Sequence, residues 1–410
     1  MITKRELIGS LGAGAGVTLL GAPFGAGATA GVGLALSPLL PEGTRTEARL
    51  ESLPGKKPLI KLTYRPPNYE APMAYLRTAI TPNDEFFVRY HIADIPEVDA
   101  RTWKLRIGGP AAKAERELDL AALKQLPTTE IVAVCQCAGN RRGLFQPHVA
   151  GIEWGSGAMG CARWKGVKLE DVLNLVGLGP DALEVAFNGA DGPVIAGAPD
   201  FVKSLPIAKA LDKTVLLATE MNGEPLPHWN GFPVRLIVPG WSATYWVKHL
   251  TSVEVVAKPY DGFWMKPGYR VPVGKFPVVA GFPSQQSAVN QPLTEIVINS
   301  LITSPTDGIK VKRGSAVMIG GLAWDGGYGI DSVTITADDG RTWHAAALGE
   351  NLGPYAFRTF HYAFKAVKKG RHRFFARATN RIGQTQATEL ILNPAGYNNN
   401  VMQPVTVIVV

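Results

Sequence analysis

Cysteine, long apolar runs and clustered basic charge are all scarce in this 410-residue chain. Three cysteines, Cys135, Cys137 and Cys161, do not make a disulfide framework, and no second Cys pair follows at zinc-finger spacing. No Cys-x-x-Cys-His occurs, which excludes a covalent c-type haem. The net charge of +8 is modest for the length and no basic run stands out, so nucleic acid is not an expected partner. One apolar segment, Leu7 to Leu20, follows Lys4-Arg5 and precedes small-residue sites at Ala26-Gly27-Ala28 and Ala28-Thr29-Ala30. That is the layout of an export signal. The segment is Gly-rich and short for a spanning helix, so cleavage is expected rather than a retained anchor. No other stretch is long and apolar enough to span a membrane.

What is present points to two domains, since a single core seldom grows to this length. Residues 1–30 read as the export signal, and residues 31–82, rich in Pro and charge, as an extended arm. From 83 to 290 strands mix with short helices. Phe86–His91, Ile131–Val134, Val185–Phe187, Val215–Leu217 and Val234–Val238 read as strands. Leu118–Leu126 has helical spacing and stops before Pro127. Leu169, Val172, Leu173 and Val176 share one helix face, with Gly177 as the stop. From 291 to 410 helical periodicity almost vanishes. Ile309–Ile319, Ser332–Ala337 and Phe374–Ala378 read as strands, and Asp338-Asp339-Gly340 as a hairpin turn. The expected fold is therefore α+β: a mixed α/β domain followed by an all-β sandwich of immunoglobulin-like size.

The stretch Ile131–Gly143 organises the rest. A buried strand leads to Cys137, and turn chemistry with two guanidiniums follows it. A thiol beside fixed positive charge is favoured as thiolate, a strong nucleophile or a soft metal ligand. Cys135 and Cys137 are two apart and face the same way in a strand. Three cysteines alone do not complete a structural zinc site, which needs four ligands. A lone metal-binding Cys fits a cofactor that brings its own ligands. A buried structural Cys next to a surface Arg pair fits the stretch equally well.

Cys137-Ala138-Gly139-Asn140-Arg141-Arg142 resembles the molybdenum-binding motif of the sulfite oxidase family, and the similarity runs from about Phe86 to the C-terminus. It is nearest to the bacterial, haem-free sulfite dehydrogenases. The resemblance implies a molybdopterin-binding catalytic domain and an immunoglobulin-like dimerisation domain. It makes Cys137 the protein ligand to molybdenum, with a pterin dithiolene supplying further sulfurs. Arg89 and Arg142 match anion-binding arginines, Tyr269 the active-site tyrosine, and Trp154 a tryptophan lining the substrate pocket. Phe87, Val88, Arg89, Tyr90, His91, Asp191, Asn230, Arg235, Trp246, Val247 and Lys248 match positions that hold the molybdopterin. The implied reaction is oxidation of sulfite to sulfate, with electrons passed to an external acceptor such as a c-type cytochrome. No haem is expected in this chain. A homodimer or a complex with a haem subunit is implied.

Thr3-Lys4-Arg5-Glu6-Leu7-Ile8 resembles a twin-arginine signal with Lys in the first Arg place, which implies export of a folded protein to the periplasm. Two positions depart from the family pattern. Asn230 stands where vertebrate members have His, and Asn393–Tyr397 occupies a region where some relatives supply another Arg to the substrate pocket. Another activity of the superfamily, such as sulfoxide reduction, and a non-catalytic exported β-sandwich binding module are the competing readings.

Overall fold

The second half of the strand Thr128–Gln136, from Val132 on, is buried on both faces, which is why Ile131–Val134 reads as an apolar run. Side chains alternate along a strand. Ala133 and Cys135 enter one core together with Trp164, Leu217 and Trp246. Val132 and Val134 face the other way and pack with Leu301, Leu322, Trp324 and Phe357 of the C-terminal half. The computed structural model describes residues 34, 36–274, 285 and 289–410, and the expected export signal lies outside them.

Two five-stranded sheets enclose the first core. One runs in the order Lys203–Pro206, Glu184–Gly189, Leu250–Val256, Lys104–Gly108, Arg116–Asp119, with its third and fourth strands parallel. The other runs Glu224–Pro225, Leu216–Met221, Met159–Lys168, Thr128–Gln136, with Arg235–Ile237 also paired to Leu216–Met221. Helices are few and short. Leu169–Asn174 buries Leu169, Val172 and Leu173, and Gly177, at φ +67°, donates its N–H to the Leu173 carbonyl as the expected stop. The expected helix over Leu118–Leu126 starts later. Arg116–Asp119 is an edge strand paired to Lys104–Gly108, and Asp119 caps a helix limited to Leu120–Lys124 by accepting from the Ala122 N–H at 2.8 Å.

Residues 31–82 are more than an extended arm. Arg49–Glu51, Leu59–Thr63 and Asn68–Glu70 form an antiparallel meander whose last member pairs with Val88–Arg89. Proline sits in the turns of this meander, so composition concealed the pairing.

In the C-terminal half, Asn299–Ser304, Ala316–Trp324, Arg358–Lys365 and Ala347–Leu348 form one sheet. Ile309–Val311, Val405–Val409, Gly370–Asn380, Ile330–Thr336 and His344–Ala345 form the other. Ile302, Ile319 and Phe360 from the first share a core with Val333, Phe374 and Val407 from the second. The single strand expected over Ile309–Ile319 is two strands in different sheets, separated at Gly314 (φ +88°). Asp339 and Gly340 both have positive φ, as the turn chemistry requires.

Candidate active site

Cys137 is the first residue past its strand. Its N–H donates to the Ala158 carbonyl at 2.9 Å, and its carbonyl accepts from the Asn140 N–H at 2.9 Å, which turns the chain. Asn140 Oδ1 accepts from the Ala158 N–H at 3.1 Å and ties the turn back to the neighbouring strand. Gly139 is fixed by space, because a Cβ there would lie 2.5 Å from the Arg142 guanidinium. Arg141 takes a left-handed φ of 68° and points away from the site. Fully buried, it donates to Asn299 Oδ1 (2.8 Å), the Ser300 carbonyl (3.0 Å) and the Val401 carbonyl (3.1 Å). Desolvation lowers its pKa to about 10. Arg141 thus anchors the Cys137 turn to the C-terminal half.

The Cys137 side opens on a cavity of about 590 Å³, counting the open space at its mouth. Of the residues singled out from the sequence, Phe87, Arg89, Tyr90, His91, Cys137, Asp191, Asn230, Arg235, Trp246, Lys248 and Tyr269 line it. Four do not. Val88 and Val247 are buried in the packing behind it. Trp154, expected on the pocket wall, is wholly enclosed in the core, its indole N–H without a partner. Arg142 stands behind the wall, donating to the Ala395 carbonyl (2.8 Å) and the Ile152 carbonyl (3.1 Å). Its guanidinium lies 5.3 Å from the Tyr397 ring centre, and Tyr397 stacks on Tyr269 at 5.6 Å and 11°. Asn393–Tyr397, where the sequence lacks an arginine, therefore supports the active-site side chains through ring stacking and a backbone carbonyl.

Tyr269 has φ +57°, a left-handed conformation that costs a bulky residue about 1–3 kcal/mol and clusters at functional sites. Its hydroxyl shares a hydrogen bond with His91 Nε2. Burial raises the Tyr269 pKa, so the phenol keeps its proton. Burial, reinforced by Arg89, Lys203 and Lys248, holds His91 well below the usual range, so its imidazole is neutral. Arg89 donates to the Tyr90 carbonyl and to Asn68 Oδ1 (3.4 Å).

The cavity is short of negative charge. Arg89, Arg235 and Lys248 line it against one carboxylate, Asp191. None of the three cations makes an ion pair with a carboxylate among the described residues. Burial and then Arg235 push Lys248 well below the ordinary lysine range, with Asp191 opposing. Burial raises Asp191 to about 6 against the pull of Lys248. A buried excess of cations is costly until an anion enters.

Sequence reasoning missed three contributors. Phe201 stacks on His91 at 3.7 Å and 16°. Trp264 packs edge-on to both. Lys203, 1% exposed, donates to the Trp264 carbonyl (2.6 Å), and its ammonium lies 4.9 Å from the Tyr269 ring centre. Lys203 opens the strand Lys203–Pro206, whose first three residues are all buried, and its local sequence carries no mark of that burial.

Residues 92–264 match the family model of the oxidoreductase molybdopterin-binding domain, and residues 290–410 that of the Mo-co oxidoreductase dimerisation domain. The sulfite oxidase of Arabidopsis thaliana is 32% identical over 325 residues, covering 76% of this chain and 81% of that protein. The chain belongs to the sulfite oxidase family. The mitochondrial sulfite oxidase of Homo sapiens is 38% identical over 315 residues, which is 73% of this chain, and the chain spans 56% of that relative. The sulfane dehydrogenase SoxCD from Paracoccus pantotrophus shares the fold, with a TM-score of 0.72 at 23% identity over 95% of this chain and 93% of that one.

Sulfite oxidase family membership implies molybdenum bound by molybdopterin, and the residues present fit that group. Among the described residues no three His, Cys, Asp or Glu side chains gather to hold a metal ion, so an ion here must arrive with ligands of its own. Cys137 offers the one soft donor on the cavity wall, and Arg89, Arg235 and Lys248 offer the countercharge an anionic cofactor requires.

Proposed function

We propose that this protein is an exported, periplasmic sulfite dehydrogenase that oxidises sulfite to sulfate and passes the electrons to an external acceptor, a c-type cytochrome. The observation that carries the reading is a lone thiol, Cys137, opening into a cavity whose cations outnumber its carboxylates. Sulfite and water give sulfate, two protons and two electrons. When bound, the molybdenum centre supplies the two-electron oxidation and oxygen-atom transfer that side chains cannot perform.

Cys137 would hold the metal. Arg89 gathers the anion, because a guanidinium fork suits an oxyanion. Tyr269 presents a protonated hydroxyl, hydrogen-bonded to Nε2 of the neutral His91. With the imidazole N–H at Nε2 donating to the phenol oxygen, the hydroxyl proton is free to donate to an oxyanion. Arg142 and Tyr397 hold the Tyr269 ring from behind. Phe201 and Trp264 keep water from His91. The C-terminal half serves as an immunoglobulin-like sandwich that pairs two copies of the chain, or docks a haem subunit.

The test is molybdenum content together with sulfite-dependent reduction of ferricyanide by the purified protein. Turnover that scales with molybdenum supports the reading. Full molybdenum occupancy with sulfite left untouched overturns it, and sulfoxide-dependent oxidation of a reduced dye then identifies the other activity of the superfamily. A non-catalytic binding module should contain no molybdenum.

A further inference from the structure

Fully buried lysines without a carboxylate partner are rare, and the N-terminal meander supplies one to the cofactor site. Lys56 is 7% exposed and makes no ion pair with a described carboxylate. Its ammonium donates to the Asn83 carbonyl at 2.5 Å and to Asn230 Oδ1 at 2.6 Å. The turn that carries it is pinned on both sides of Lys56 by backbone bonds, Lys56 N–H to the Leu53 carbonyl and Lys57 N–H to the Asp84 carbonyl, each 2.9 Å. Asn230 lines the cavity, and its backbone carbonyl accepts from Arg235 at 3.1 Å.

An ammonium has three donors and no acceptor. The amide oxygen of Asn230 must therefore face Lys56, which turns the amide nitrogen to the opposite side, where it donates to the Phe87 carbonyl at 3.4 Å. Phe87 also lines the cavity. Asparagine alone can present either end of its amide, but Lys56 removes the choice. An anion or a carbonyl-rich ring in the cavity then meets an N–H and never the amide oxygen. Burial brings Lys56 down to about 7, with Asp84 opposing and Arg235 adding to the shift, so the donor-only ammonium prevails below that pH.

We propose that Lys56 is a positioning residue of the molybdopterin site: it locks the Asn230 amide so that its N–H serves the anionic cofactor. The proposal rests on the cofactor reading but not on sulfite as substrate. It gives the N-terminal meander a role in holding the cofactor.

The experiment uses the cofactor-loaded protein and follows loss of molybdopterin during dialysis, read by fluorescence of its oxidised pterin. Lys56→Met is expected to lose the cofactor at least tenfold faster than the wild type, the equivalent of about 1.4 kcal/mol. Lys56→Arg, which still donates to the amide oxygen, restores retention. Lys57→Met is the control, since Lys57 is a half-exposed partner of Asp84 and Glu85, neither of which lines the cavity. It should retain cofactor as the wild type does. In an Asn230→Ala background, Lys56→Met should add little, because the lysine acts through that amide. Retention by Lys56→Met equal to wild type overturns the proposal, as does full additivity with Asn230→Ala. Equal acceleration by Lys57→Met also overturns it, because that assigns the effect to loosening of the meander. If Lys56→Met does not fold, failure of Lys56→Arg to retain cofactor decides against it. Wild-type protein that carries no molybdopterin removes the cofactor reading itself, an outcome distinct from all of these.

Discussion

Replacing Arg89 by Gln tests how the site gathers its substrate. Arg89 is partly buried, lines the cavity beside Cys137, and makes no ion pair with a described carboxylate. A charge–charge contact at about 4 Å is worth roughly 4 kcal/mol at an intermediate dielectric, before desolvation. The net value of a charge-assisted hydrogen bond is about 1.5–3 kcal/mol. Each 1.4 kcal/mol is about tenfold in binding, so KM for sulfite should rise about 10- to 100-fold. Gln is close enough in shape to keep a donor near Asn68 Oδ1 and the Tyr90 carbonyl, so the fold should hold. The assay is initial-rate reduction of ferricyanide at varied sulfite, expressed per molybdenum and repeated across ionic strength. Salt should weaken wild-type sulfite binding more than that of the variant. A KM within about twofold of wild type at full molybdenum occupancy, with an unchanged salt response, would show that Arg89 does not gather the anion.

Cys137→Ser should leave a folded protein whose sulfite turnover does not exceed the metal-free baseline, whereas Cys135→Ser should keep most of its turnover. Equal loss in both, measured per milligram of soluble protein, removes the special role of residue 137. Tyr269→Phe keeps the stack on Tyr397 but loses the bond to His91. It should lower kcat about 100-fold, the lower range for a positioned proton-transfer group, with KM changed far less. Glu70 is fully enclosed, and burial raises its carboxyl to about 7. The folded state therefore binds a proton that the unfolded chain releases, and stability falls as pH rises from about 4.5 to about 7. The loss is at most about 3 kcal/mol. Glu70→Gln should flatten that part of the melting-temperature profile and match the wild type at pH 4. An identical profile in both proteins disproves the linkage.

Side-chain alternation accounts for what could be read without a structure. Leu169, Val172, Leu173 and Val176 fixed a helix, and Gly177 its end, because both signals are local. The turn after Cys137 was legible for the same reason: it is built from neighbours, Asn140 onto the Cys137 carbonyl and Gly139 beneath Arg142. Local signals also misled. The run Ile309–Ile319 looked continuous, yet a turn at Gly314 sends its halves into different sheets.

The chain on its own therefore pointed, through its family resemblance, to candidate residues for the chemistry, and showed where most strands and the helix Leu169–Asn174 lie. Tertiary packing alone decided that neither of the two adjacent arginines lines the cavity: Arg141 reaches Asn299 and Ser300, while Arg142 backs Tyr397. It also brought Lys56 to Asn230 across 174 positions, and Lys203 beneath Tyr269. Such pairings depend on where strands from distant parts of the chain come to rest in three dimensions. A buried charge gives no local pattern to mark its partner, so only the assembled fold reveals it.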